Sequence, residues 1–247
     1  MVDIHCHILP GIDDGSNSWE TTLEMCRMAA ADGVRHIVAT PHANDEFRYD
    51  RQGYAGLLNE LRHRTESPLT FSLGCDLHLS YENFQATLIN PEGYCIEGTR
   101  YLLVEFSDFV VPPNTSVLLN ELAQNGMTPI ITHPERNPIL QAQLERVLQW
   151  IESGAVVQIT ADSLSGRWGP RAKKTATFLL DHAAVHAIAS DAHGIRNRPP
   201  LLSQARTLVK KNYGEEIARV LVDDNPSAIV AGEPLAYFPS PSENGRL

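Results

Sequence analysis

Short apolar runs recur along this chain, separated by longer stretches in which apolar residues fall three and four positions apart. VDIHC (2–6) opens the series. HIVA (36–39), TFSLG (70–74), YLLVE (101–105), TPIIT (128–132), AVVQIT (155–160) and VHAIAS (185–190) follow. Runs of this length, rich in Val and Ile and bounded by turn residues, read as buried strands. The intervening stretches TTLEMCRMAAADG (21–33), YAGLLNELRHR (54–64), SVLLNELAQNG (116–126), AQLERVLQWIESG (142–154) and KKTATFLLDHA (173–183) read as amphipathic helices. Three of them stop at Gly33, Gly126 or Gly154, where a left-handed C-cap suits glycine. Seven strands alternating with helices imply an α/β fold on a parallel sheet, either a barrel or a doubly wound sheet.

Composition narrows the class. At 247 residues with 43% hydrophobic positions, the chain can bury a sizeable core. No composition shift divides residues 1–232, whereas EPLAYFPSPSENGRL (233–247) is rich in Pro, Ser and Gly and reads as a loose tail. A net charge of −10 repels phosphate backbones, so nucleic acid is not expected as a partner. No basic leader or signal-like apolar run opens the sequence, and no stretch approaches the roughly 20 apolar residues of a membrane span. Cys6, Cys26, Cys75 and Cys95 lack CxxC spacing and read as reduced thiols of a cytoplasmic protein without membrane insertion.

The candidate chemistry lies at the strand ends. His5 and His7 stand one residue apart at the end of the first strand, where period-two alternation aims both imidazoles to one face. Asp14 follows in the IDDG turn. TPH ends the second strand at His42, GCD the third at Asp76, and VEF the fourth at Glu105. THPERN follows the fifth with His133, and SDAH follows the last with Asp191 and His193. Active sites of parallel α/β folds form at the C-terminal ends of the strands. Five imidazoles and four carboxylates exceed what one ion needs, and without an obligate thiolate they suit two or three divalent ions such as Mn²⁺, Fe²⁺ or Zn²⁺. Metal clusters of this kind activate hydroxide and stabilise phosphoryl oxygens. His36, His63, His78, His182 and His186 lie on helices or away from the strand ends and read as ordinary residues.

These motifs resemble the PHP superfamily, named for polymerase and histidinol phosphatase domains. DIHCHILPGIDDG, ATPH, VEF, HPERN, ASDAH and VDDNP are similar to one branch, the manganese-dependent tyrosine phosphatases of bacterial capsule and exopolysaccharide operons. The likeness runs from Val2 to about Pro226. It implies a PHP phosphatase domain over 1–232, folded as a distorted (β/α)7 barrel with a trinuclear site, Mn²⁺ first among the metals. Carried over residue by residue, His5, His7, Asp76 and Asp191 hold one ion. Asp76, Glu105 and His133 hold a second, with Asp76 bridging, and Asp14, His42 and His193 hold a third. Arg136 and Arg198 take the places of the family's phosphate-binding arginines, a role that suits the two-pronged guanidinium. The chain departs from the family at Asp76, where Glu is usual.

The implied reaction is hydrolysis of phosphotyrosine in a protein substrate, the tyrosine-rich tail of a capsule-operon kinase. A phenol of pKa near 10 leaves without much help from an acid. Oligomers occur in such a branch, and nothing in the sequence sets a number. Histidinol phosphatase shares the same metal logic and is the alternative activity; a metal-stabilised scaffold without activity is the non-enzymatic one. A cysteine-dependent route needs C-x5-R, and Cys95 to Arg100 is one residue too short.

Overall fold

In the computed structural model, which describes residues 1–239, all seven apolar runs form strands. They are β1 (Val2–Cys6), β2 (His36–Ala39), β4 (Thr70–Leu73), β6 (Tyr101–Glu105), β7 (Thr128–Thr132), β8 (Val156–Thr160) and β9 (Ala187–Ala189). Two short strands, β3 (His42–Ala43) and β5 (Asp76–His78), come in addition. The helices are α1 (Trp19–Ala31), α2 (Arg51–Arg64), α3 (Tyr81–Ile89), α4 (Thr115–Gln124), α5 (Pro138–Gln141), α6 (Leu144–Glu152), α7 (Ala161–Ser165), α8 (Gly169–Asp181), α9 (Ser203–Tyr213), α10 (Glu215–Arg219) and α11 (Asn225–Ala231). A π-turn, Val220–Asp224, joins the last two.

Every strand pair is parallel, as the alternation implies. The strands fall into two sheets, ordered β1-β2-β4 and β3-β5-β6-β7-β8-β9. Nine strands in two sheets replace the seven-strand ring, and no closed barrel forms among the described residues. The extra breaks have local causes. Pro41, between β2 and β3, has no N–H to give a ladder. Gly74 and Cys75 separate β4 from β5; a Cβ on Gly74 would press to 3.1 Å on Val38 and 3.3 Å on Ile96.

One face of the strands packs Val2, Ile4, Val38, Tyr101, Leu103, Ile130, Val156 and Ala187 against Ile229 of α11. The other packs Leu102, Val104, Ile131, Val157 and Ile159 under the helices. The alternation along β6, β7 and β8 is therefore hydrophobic on both faces, as strands covered on both sides require. α1 shows how a helix joins this core: Ser18 caps it by accepting from Thr21 N at 3.2 Å. Thr22, Met25, Cys26 and Ala29 then form its buried stripe. Gly33, Gly126 and Gly154 sit just past α1, α4 and α6 with φ of +89°, +84° and +96°, the left-handed stops read from the sequence.

Helices α3, α5, α7, α9, α10 and α11 are additional to the five patterned stretches. Of the expected loose tail, 240–247 lie outside the described residues. Residues 233–239 carry no helix or strand, but Tyr101 Oη donates to Glu233 O at 2.7 Å and Asn225 Nδ2 to Tyr237 O at 2.8 Å. No helix among the described residues is long and apolar enough to cross a membrane.

Candidate metal centre

The nine candidate ligands come together in one cluster. Donor atoms lie within 4.8 Å of one another in four overlapping groups. These are His7, Asp14, His42 and His193; His5, His7 and Asp76; His5, His133 and Asp191; and His42, Asp76 and Glu105. His42 and Asp76 do not end strands, as the sequence suggests, but open β3 and β5, where they pair in register. The breaks at Pro41 and Gly74 thus place two candidate ligands side by side. His133 stands with His5 and Asp191, and its Nε2 is also 3.5 Å from Glu105 Oε1.

The local backbone is built around these side chains. The β1–β2 register slips between Asp3 and Cys6, a bulge of the kind that re-aims side chains. His5 lies within this slip and His7 just after it, and their Nε2 atoms meet at 3.2 Å. Cys6, between them, joins the core under the helices. His133 and Asp191 adopt φ of +33° and +52°, a conformation that costs non-glycine residues on the order of 1–3 kcal/mol and gathers at functional sites. Gly15 is required by close approach, because a Cβ there would lie 2.3 Å from His7 O.

Hydrogen bonds show why this cluster suits cations. His7 Nδ1 is 2.8 Å from Asp13 Oδ2, and His5 Nδ1 is 3.0 Å from Gln158 Oε1. Both partners accept, so each Nδ1 carries the proton and each Nε2 presents a lone pair. Those lone pairs face each other. Asp76 Oδ2 and Asp191 Oδ1 stand 3.3 Å from His5 Nε2, and Asp191 Oδ1 is 3.5 Å from His7 Nε2. Acceptors crowded this closely around His5 Nε2 repel unless a cation sits among them. His42 Nδ1, His193 Nε2 and both carboxylate oxygens of Asp76 are buried without a hydrogen-bond partner. The imidazole and carboxylate set fits Mn²⁺, Fe²⁺ or Zn²⁺.

The titration behaviour has the same origin. Burial alone would lower His5, yet the Asp76 and Asp191 carboxylates lift it to about 9. Burial likewise opposes, and Asp14 and Asp76 overcome it, in raising His42 to about 11. In both cases a proton takes the place a metal would fill. Burial and the neighbouring Asp76 charge push Glu105 up to about 8. Asp76 itself, despite burial, is held well below the carboxylate range by His5 and His42. Two adjacent carboxylates with opposite shifts mark a pair that cannot both ionise freely without added positive charge.

Arg136 and Arg198 flank the cluster. Arg136 Nη1 donates to Asp191 Oδ2, and Arg198 Nη2 donates to the same oxygen at 2.5 Å. Beside them opens a cleft of about 300 Å³ lined by residues including Glu105, His133, Arg136, Phe106, Phe109 and Trp168. His78, read as an ordinary histidine, also lines it: it ends β5 in register with Glu105. Of the thiols, Cys95 is buried and pushed up to about 11. That is the opposite of what a cysteine nucleophile needs.

The sequence matches the capsular polysaccharide synthesis CpsB/CapC family over residues 1–231. The chain belongs to that family. It is 38% identical over 226 residues to the putative tyrosine-protein phosphatase CapC of Staphylococcus aureus, covering 90% of this chain and 88% of that protein. It is 32% identical over 228 residues to the tyrosine-protein phosphatase YwqE of Bacillus subtilis, covering 91% and 89%. A solved structure from the pair YwqE of B. subtilis and CpsB of Streptococcus pneumoniae, metal-dependent tyrosine phosphatases, superposes with a TM-score of 0.88. The identity is 30%, covering 98% of this chain and all of that one.

Two residues that support this candidate site carry no motif of their own. Asp13 was visible only as one of two adjacent acids; its neighbour Asp14 approaches His42 and His193 at 3.3 Å, whereas Asp13 turns to His7. Gln158 lies 153 residues from the histidine it orients, and only its place as a buried amide within an apolar strand marked it.

Proposed function

We propose that the protein is a metal-dependent phosphatase that removes phosphate from phosphotyrosine in protein substrates, such as the tail of a capsule-operon tyrosine kinase. The observation that carries this reading is the crowding of His5 and His7 Nε2 with Asp76 and Asp191 oxygens, a place for positive charge, beside two arginines and an aromatic-lined cleft. The relatives named as tyrosine phosphatases across nine-tenths of the chain support the same substrate.

The site is taken to hold three divalent ions, Mn²⁺ first and Fe or Zn as alternatives. His5, His7, Asp76 and Asp191 form one ligand set, Asp76, Glu105 and His133 a second, and Asp14, His42 and His193 a third, with Asp76 shared. The two sheets are read as one interrupted (β/α)7 barrel of PHP type, β2 with β3 and β4 with β5 each counting once. Asp191 N donating to His5 O at 2.8 Å and His7 N to Ala192 O at 2.9 Å support that reading at the β1–β9 seam. The phosphatase domain spans 1–232, with 233–247 as a tail. Four free, buried cysteines suit a reducing cytoplasm.

When bound, divalent ions supply Lewis acidity at phosphoryl oxygens and lower the pKa of water. The chain's own residues do the rest. Asp13 and Gln158 hold His7 and His5 in one tautomer, so that the ligand nitrogens need no proton rearrangement. Arg136 and Arg198 meet the phosphate with in-plane N–H pairs and offset charge that grows on its oxygens in the transition state. Phe106, Phe109 and Trp168 offer the phenyl ring an apolar lining. The test is relative turnover with Mn²⁺ of phosphotyrosine peptides, phosphoserine peptides and histidinol phosphate. Phosphotyrosine should be fastest; faster turnover of either rival overturns the assignment.

A further inference from the structure

Arg136 and Arg198 arrive from distant parts of the chain, after β7 and after β9, yet both guanidinium groups meet one indole. Arg136 Cζ lies 3.7 Å from the centre of the Trp168 ring and Arg198 Cζ 5.3 Å from it. Trp168 is 36% exposed and lines the cleft together with His133 and Arg136. The corner that carries it also reaches the loop carrying Arg198: Arg167 Nη1 donates to Arg196 O at 3.4 Å and to Asn197 O at 3.5 Å.

We infer that Trp168 is a positioning residue that holds Arg136 and Arg198 in the pose that meets the substrate phosphate, and that its exposed part forms the wall against the substrate's phenyl ring. The physical basis is the division of a guanidinium into face and edge. Stacking occupies the face and leaves the in-plane N–H groups free for phosphate oxygens. An arginine held this way does not give up rotamer freedom when the phosphate arrives, which is the advantage of a preorganised donor. Two like charges close together also need a shared partner; Asp191 Oδ2 supplies one from the metal side and the ring quadrupole supplies another from the cleft side. The inference rests on the phosphatase reading above, because it assigns the ring a phosphoryl and aryl ligand.

The test uses the metal-loaded enzyme and the variants Trp168→Ala, Trp168→Phe, Arg136→Ala and Trp168→Ala/Arg136→Ala. It measures kcat and KM on a phosphotyrosine peptide, the inhibition constant of inorganic phosphate, metal content and melting temperature. Trp168→Ala should lose about 10–100-fold in kcat/KM, the sum expected of two cation–π contacts. It should also weaken inhibition by inorganic phosphate, which has no ring, with metal content unchanged. Trp168→Phe keeps an aromatic face and should recover most of both. In the Arg136→Ala background the Trp168→Ala change should cost much less, since a residue acting through another is not additive with it. Additive losses, or a Trp168→Ala enzyme within about 2-fold of the parent, overturn the positioning role, the measured losses being set against the cation–π range. If the parent does not hydrolyse phosphotyrosine at all, the phosphatase reading fails. Trp168 is then judged by calorimetric binding of inorganic phosphate to parent and Trp168→Ala, and equal affinities overturn it.

Discussion

Replacing Asp13 by Asn exchanges one carboxylate oxygen for an NH₂ group and should disturb a metal site that Asp13 does not itself enter. Its carboxylate accepts three bonds: from His7 Nδ1 at 2.8 Å, from His42 N at 3.2 Å and from Gly15 N at 3.0 Å. Burial works to raise its pKa, but His7 holds it below the usual range, so it is ionised at neutral pH. An amide has one accepting oxygen and an NH₂ that only donates. Whichever way the new amide turns, at least one of three donors faces another donor. If His7 is that donor, it must shed its Nδ1 proton and lose the lone pair at Nε2. Bonds to charged groups are worth about 1.5–3 kcal/mol, and loss of such a support typically weakens metal binding about 10–100-fold. Titration of metal-stripped protein with Mn²⁺ by calorimetry should show that loss in Asp13→Asn while the protein still unfolds cooperatively. An affinity within about 2-fold of the parent, against the 10–100-fold expected, would mean that the His7 tautomer is not what prepares the site.

Arg136→Ala should lower turnover of phosphotyrosine by about 10²–10³-fold, the scale of losing one transition-state donor, with metal content by elemental analysis unchanged; near-normal turnover would remove Arg136 from the phosphate site. His186 gives a pH signature outside the cluster. It is fully buried, its Nδ1 accepts from Val157 N at 3.1 Å, and burial lowers its pKa to about 3. The unfolded chain takes up this proton near pH 6.5 and the folded one does not, so stability is complete above about pH 6.5 and falls as pH drops towards 3. Between pH 7 and pH 5 the loss from this residue is about 2 kcal/mol. Urea unfolding of metal-stripped His186→Gln at the two pH values should show a shallower fall than the parent. Equal slopes would show that His186 charges without cost.

Periodicity carried the architecture well, because buried parallel strands and amphipathic helices announce themselves by apolar spacing. All seven strand runs and five helical stretches appear where the spacing puts them. What spacing could not convey was the division of two strands at Pro41 and Gly74, since β2 with β3, and β4 with β5, each look like one run followed by a polar residue. That division moved His42 and Asp76 from strand ends to the start of new pairs. Ligand types concentrate at strand ends, so the nine clustered residues were readable. Asp13, Gln158, His78 and Trp168 were not, because their roles come from partners remote in sequence or from a cleft that only tertiary packing creates. The helices after β9 pack by short turns and a π-turn, a pattern without a single period.

On this reading the converging histidines and carboxylates hold catalytic metal. The most direct measurement follows metal content by elemental analysis alongside phosphate release from a phosphotyrosine peptide, as the protein is stripped by chelator and reloaded with Mn²⁺, Fe²⁺ or Zn²⁺. Activity should fall with bound metal and return with it, best with Mn²⁺, at more than one ion per chain. Full activity in protein shown by elemental analysis to be free of metal would contradict the account.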